Sequence, residues 1–388
     1  MMDRQFVREN AIFAQLVRHD YSVEDLVSAF PGSSVEEVVQ RLRDNSLRYR
    51  RTVERFGYLG TRECSSRYFN VASGRFRRAP SAPPVGSGEQ GNIHCYGGST
   101  TSGHNVGDEE TFPHYLEELL RRSDDSIRVL NFGAGNHTSL HASLHLLDHC
   151  LAGRTPRTAI MFNGVNDLLY AASGADGIIP FLDQALLLSQ HVPGREVPIG
   201  EIASLVPRSG DERLPSTASS ASGHPEDPLA LVRARYAVAA AIHDHCSQFW
   251  GVRVLRVWEP TPFLNCRSDQ DLVPRLRQSS SGYETARQLA QIVKSAGGPQ
   301  ALGVEEIQDL TECGQSKLDG PLFVDEIHAS PLLNRHIAEV LVRSLSVQRS
   351  RRTSRWGRIR RRRKLEGSVA TRSSREVTSP ESDLYPLW

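Results

Sequence analysis

Between residues 91 and 345 short apolar runs alternate with longer amphipathic ones, and this alternation constrains the fold more than any other feature. Candidate strands are Ile93–Tyr96, Arg128–Phe132, Ala159–Asn163, Val252–Trp258 and Leu322–Val324. Candidate helices include Phe112–Leu120, Ser139–Leu151, Leu229–Phe249, Tyr283–Ser295 and Leu332–Leu345. Such a pattern points to a parallel sheet covered by helices on both faces. In sheets of that kind the chemistry gathers at the carboxyl ends of the strands, so the turns that follow the strands carry the interest.

Three of those turns hold reactive groups. After the first strand comes Gly97-Gly98-Ser99-Thr100-Thr101-Ser102-Gly103, in which the glycines permit a tight turn and leave Ser99 unobstructed at its apex. A serine so placed is a candidate nucleophile when a base stands near. The third strand ends in Asn163-Gly164-Val165-Asn166-Asp167, where an amide can be aimed at a developing oxyanion. Late in the chain Asp325 and His328 are spaced three apart, just before Ser330-Pro331 opens a helix. There His328 can serve as base while Asp325 holds its tautomer. Each piece alone also reads as ordinary structure: a Gly/Ser turn, a capping Asn-Asp, a chance Asp and His.

Together and in this order, the three segments resemble the SGNH/GDSL hydrolase superfamily. Its first block, Gly-Asp-Ser-x-(Thr/Ser)-x-Gly, is matched from Gly97 to Gly103, with Gly98 in place of the Asp. Its third block, Gly-x-Asn-Asp, is matched by Gly164 to Asp167, and its last, Asp-x-x-His, by Asp325 to His328. The likeness spans roughly residues 91–345, and FNVASGRFRR (69–78) is similar to a segment that precedes the catalytic domain in some relatives. The resemblance implies a three-layer α/β sandwich with a parallel, flavodoxin-like sheet. It implies Ser99 as nucleophile, His328 and Asp325 as its partners, and Asn166 as an oxyanion donor. The second block normally supplies a glycine N–H to the oxyanion. Here that position falls on Asn136 with Gly135 just before it, and either can donate, since Asn tolerates left-handed backbone better than most residues. The implied reaction is hydrolysis of a short acyl ester, acetate being the first choice, on a carbohydrate or small metabolite, without a cofactor. Two alternatives carry the same residues: an acyltransferase, and a non-catalytic binding protein on a degenerate scaffold.

The flanking segments read differently. Residues 1–58 are expected to be a helical extension, with helices over Ala11–Arg18, Val23–Phe30 and Val35–Arg43, the last opened by Ser34 and Glu37 at capping-box spacing. The third helix carries Glu36 and Glu37 beside Arg41 and Arg43, which does not suit phosphate binding. Residues 59–90 read as connector and linker, 207–227 as a flexible insertion within the 91–345 catalytic domain, and 346–388 as a disordered basic tail. The net charge of +1 hides this tail. Residues 349–388 carry twelve basic against four acidic groups, leaving +8, while the other 348 residues carry 34 against 41 and stand at −7. A weak polyanion contact through the tail is the only partner this suggests beyond the ester substrate. Oligomeric state is not legible.

Six scattered cysteines without a CxxC pair, no long apolar run and no signal-like start suggest a cytoplasmic protein with reduced thiols and no transmembrane segment. His137, His141, His145 and His149 recur every four residues, which raises zinc. The leucines beside them mark a core-facing helix, and no Cys or Glu completes a ligand set, so the expectation is no metal.

Overall fold

A computed structural model describes residues 27–45, 47, 51–53, 59–74, 76–82, 93–172, 196–197, 228–265, 281–304, 306–311, 313, 318–325 and 327–346. The expected helix Ala11–Arg18, most of Val23–Phe30, the 207–227 insertion and the tail beyond 346 lie outside these residues. The chain divides into two compact units, Met1–Val340 and Leu341–Trp388. The described residues of the second, 341–346, are helical.

Helix α1 (Val35–Asn45) begins as its sequence predicts: Ser34 Oγ accepts the Glu37 N–H and the Glu37 carboxylate accepts the Ser34 N–H, both at 3.2 Å. Strands β1 (Arg51–Val53) and β2 (Leu59–Thr61) follow, so part of the segment expected to be helical is extended. The central domain then runs β3 (Ile93–Gly97), α2 (Ser99–Ser102), α3 (Phe112–Arg121), β4 (Val129–Asn131), α4 (Ser139–Leu151), β5 (Thr158–Asn163) and α5 (Val165–Ala172). After β6 (Glu196–Val197) come α6 (Pro228–Trp250), β7 (Arg253–Trp258), α7 (Pro262–Asn265), α8 (Ser281–Ser295) and β8 (Ile307–Asp309). Residues 331–340 are helical.

The five strands of the main sheet lie in the order β4-β3-β5-β7-β8, every neighbouring pair parallel. Counted along the chain, that is the flavodoxin-like order 2-1-3-4-5. Its crevice opens at the carboxyl ends of the first and third strands, where the order reverses; these are β3 and β5. Strands β2, β1 and β6 make a separate antiparallel ladder.

Alternation along the strands sorts the two faces. Tyr96, Leu130, Phe132, Ala159 and Met161 point to one side and pack with Ala142, Leu146 and Cys150 of α4 and Cys246 of α6. On the other side Phe112 of α3 lies 4.6 Å, ring to ring, from Phe162 of β5. Arg335 caps Tyr115 of the same helix at 4.7 Å, bringing residues 331–340 into that layer. The protein is therefore a three-layer α/β sandwich.

One expected strand is absent from the sheet. Leu322–Val324 makes only an isolated bridge, Phe323 to Ala329, and the fifth strand is Ile307–Asp309. All three residues are buried, and a short apolar run buried in a loop has the same composition as a buried strand. Here the run anchors a tight reversal, with Val324 N–H bonded to His328 O and Ser330 N–H to Leu322 O, both at 2.9 Å.

Candidate active site

The turn after β3 leaves no room for side chains around the serine. Gly98 caps α2, Ser99 is its first residue, and Gly103 closes it in the left-handed region at φ 75°. A Cβ on Gly97 would lie 2.1 Å from the Phe162 carbonyl oxygen. A Cβ on Gly98 would lie 2.4 Å from Asn166 Nδ2 and 3.1 Å from the His137 carbonyl oxygen. As the first helical residue Ser99 has no intrahelical acceptor for its N–H.

The second and third turns close on the same point. The loop after β4 is tied to the first turn by the Ala134 N–H, which donates to Gly97 O at 3.0 Å. Gly133 packs so closely on α2 that a Cβ there would fall 2.2 Å from the Ser102 nitrogen. Asn136 adopts the left-handed conformation, φ 68°, and is exposed, while Gly135 is buried. Asn166, on α5 just past β5, donates from Nδ2 to His137 O at 2.8 Å. An amide nitrogen carries two hydrogens, and this nitrogen lies against Gly98, 2.4 Å from where a Cβ there would stand. Its neighbour Asp167 is fully buried and clamps the start of α4, accepting from the Ser139 N–H at 3.0 Å and the Ser139 hydroxyl at 2.9 Å. Burial raises the Asp167 carboxyl to about 6 against the pull of the Arg235 charge and the Ser139 bonds.

Asp325 and His328 form a preset pair. Asp325 Oδ1 accepts the N–H groups of Ile327 and His328, both at 2.7 Å, and Oδ2 accepts His328 Nδ1 at 2.6 Å. Burial pushes the Asp325 carboxyl up. The His328 charge and these hydrogen bonds outweigh burial and hold it below its ordinary value. The other ring nitrogen, Nε2, is buried and has no hydrogen-bond partner among the described residues. The pair sits in the reversal before the last helix, whose start Ser330 caps by accepting the Leu333 N–H at 3.3 Å. His104 links this pair to the serine turn. Its backbone N–H donates to Ser99 O at 3.0 Å, and its ring lies 5.1 Å from that of His328.

Glu259, directly after β7, was not singled out in the sequence. It is 2% exposed, accepts the Val165 N–H at 2.7 Å and the Thr100 hydroxyl, and so joins the first and third turns. Burial raises its carboxyl to about 7, with the Thr100 and Val165 bonds opposing. Its position at a strand end was the signal available for finding it.

No protein-family model and no curated protein matches the chain. Solved structures that it resembles include an acetyl xylan esterase at 14% identity, with 65% of this chain and 98% of that one covered and a TM-score of 0.35. A lipase/acylhydrolase from Enterococcus faecalis aligns at 13% identity over 66% of this chain and 96% of that one, TM-score 0.34. A catalytic mutant of an acetylxylan esterase from Geobacillus stearothermophilus aligns at 15% identity over 67% and 94%, TM-score 0.33.

The histidine run is built into the fold. His141 Nδ1 accepts the Thr138 N–H at 3.2 Å and closes a capping box, and His149 Nδ1 bonds the Tyr96 hydroxyl at 2.7 Å. Burial, with the Arg235 charge adding to it, lowers His141 to about 4. Among the described residues no group of three or more His, Cys, Asp or Glu has a metal-holding arrangement. Nor is any helix among them long and apolar enough to cross a membrane.

Proposed function

We propose that the protein is a serine esterase of SGNH/GDSL type, acting on a short acyl ester, acetyl first, of a carbohydrate or small metabolite. One observation carries the reading. An imidazole is oriented by a carboxylate through Nδ1, keeps a buried Nε2 with no hydrogen-bond partner among the described residues, and packs on His104, whose N–H bonds Ser99 O. That is the disposition a general base needs.

In this reading His328 Nε2 takes the Ser99 proton as the oxygen attacks the ester carbonyl. The tetrahedral oxyanion is met by the Ser99 N–H, an N–H of Gly135 or Asn136, and the free Asn166 amide hydrogen. Collapse expels the alcohol, which receives its proton from His328. Water, activated by the same imidazole, then releases the acyl group and restores Ser99. Asp325, held ionised, stabilises the imidazolium in both halves. An acyltransferase would put a second alcohol in the place of water. The buried free thiols Cys95, Cys150 and Cys246 support a cytoplasmic location.

A fluorophosphonate probe should label the wild type and not Ser99→Ala, and activity on p-nitrophenyl esters should fall from acetate to octanoate. Equal labelling of both proteins removes the nucleophile. Activity that rises with chain length replaces acetyl by lipid esters.

A further inference from the structure

The N-terminal helix reaches the proposed catalytic pair through two asparagines. Asn105 donates from Nδ2 to Asp325 Oδ2 at 2.5 Å, the same oxygen that receives His328 Nδ1. Asn105 is 1% exposed and stands in the left-handed region at φ 68°, an uncommon conformation for a residue other than glycine. Its backbone is pinned by Asn45, the last residue of α1. Asn45 Oδ1 accepts the Asn105 N–H at 3.1 Å, and Asn45 Nδ2 donates to Val106 O and to Arg41 O, both at 3.0 Å.

Helix α1 is itself fastened at Glu110, just past the loop of Asn105 and Val106, and at Tyr68. Arg41 pairs with Glu110 at 2.9 Å, and the Asp44 carboxylate accepts the Tyr68 N–H at 2.9 Å. Side chains on three segments far apart in sequence thus form one buried chain of hydrogen bonds, Asn45 to Asn105 to Asp325 to His328.

We infer that Asn105 is a positioning residue for the Asp325–His328 pair and that α1, through Asn45, is the brace that holds Asn105 in place. The inference rests on His328 acting as the base. Asp325 Oδ2 must satisfy two donors, and the Asn105 amide takes one of its lone pairs. That fixes the carboxylate plane and limits how much of its charge the imidazole receives. Without the amide the carboxylate can rotate, and more of its charge falls on the bond to His328. The protonated imidazole is then favoured, while the aim of Nε2 is loosened. Among the described residues the titratable groups in contact with His328 are Asp325 and His104, and changing Asn105 leaves both side chains in place.

The test uses the full chain. Asn105→Gly removes the amide and keeps φ accessible. Two readouts are taken: a 1H–15N NMR titration of the His328 imidazole, and kcat and KM for p-nitrophenyl acetate across pH. The expected result is a His328 midpoint raised by roughly half a unit to one unit. The acid limb of kcat/KM should move with it, and kcat should fall about tenfold at constant KM. Asn45→Ala should shift both readouts in the same direction by less, and it carries the test if Asn105→Gly melts below the assay temperature. A His328 midpoint and acid limb identical to wild type overturn the inference. If the wild type cleaves no ester, the proposed function fails, while the imidazole titration still decides the positioning role.

Discussion

Position 98 links a departure from the SGNH/GDSL pattern that the chain resembles to the local geometry. The family places Asp where this chain has Gly98, and here the space a Cβ would fill is occupied by Asn166 Nδ2 at 2.4 Å. The nearest obstructing atom is the end of a side chain, so the amide is the part that moves, while the His137 carbonyl oxygen at 3.1 Å is a tight second contact. Moving the amide displaces the proposed oxyanion donor. Gly98→Ala should therefore lower kcat/KM on p-nitrophenyl acetate by about 10²–10³, the loss typical of one such donor. The melting temperature should stay within about 2 °C of wild type. Equal activity would show that Asn166 does not serve the oxyanion from its present position.

Among the elements, the segment 69–78 is fastened through Arg77 to the end of the serine turn and the loop after it. Its Arg77 is 4% exposed and pairs with Asp108 at 2.6 Å. The same guanidinium donates to the carbonyls of Ser102 (2.6 Å), Val106 (2.7 Å) and Tyr68 (3.1 Å), and to that of Gly103. One side chain thus holds the end of α2 and the loop that carries His104 and Asn105. Removing it leaves Asp108 buried without its countercharge. Arg77→Met should destabilise the protein by about 3–5 kcal/mol in urea unfolding. A loss under about 1 kcal/mol would mean the pair is not the anchor its contacts describe.

For the whole molecule, buried titratable groups set the response to pH. His94 and His243 are lowered by burial to about 3, and His141 to about 4, with nearby arginine charge adding to burial in each case. They are neutral when folded and take a proton near pH 6.5 when unfolded. Their contribution to stability is present above that value and is lost as pH falls through 6.5 towards 4. Asp167 and Glu259, raised by burial to about 6 and about 7, act with the opposite sign. His114 and His149 are also lowered by burial and join the larger group. The urea midpoint should therefore fall from pH 7 to pH 5, and a rise would assign control to the carboxyls. The basic segment 349–364 lies outside the described residues. If it makes the proposed polyanion contact, deleting 346–388 should abolish salt-sensitive retention on heparin, and unchanged retention removes that role. The sequence by itself determined the sandwich and its reactive turns. Apolar runs alternate with amphipathic ones because strands buried on both faces need covering helices, and Ser99, Asn166, Asp325 and His328 stand in local turns whose chemistry needs only short spacing. Only the tertiary structure decided which segment is the fifth strand, because Leu322–Val324 is apolar and buried like a strand, whereas Ile307–Asp309 buries only Ile307 and has no apolar pattern to announce it. Only the tertiary structure, too, joined Glu259 to Thr100, Arg77 to Asp108 and Asn45 through Asn105 to Asp325. Each of these bonds spans tens to hundreds of residues, and a single polar side chain carries no local periodicity that announces its partner.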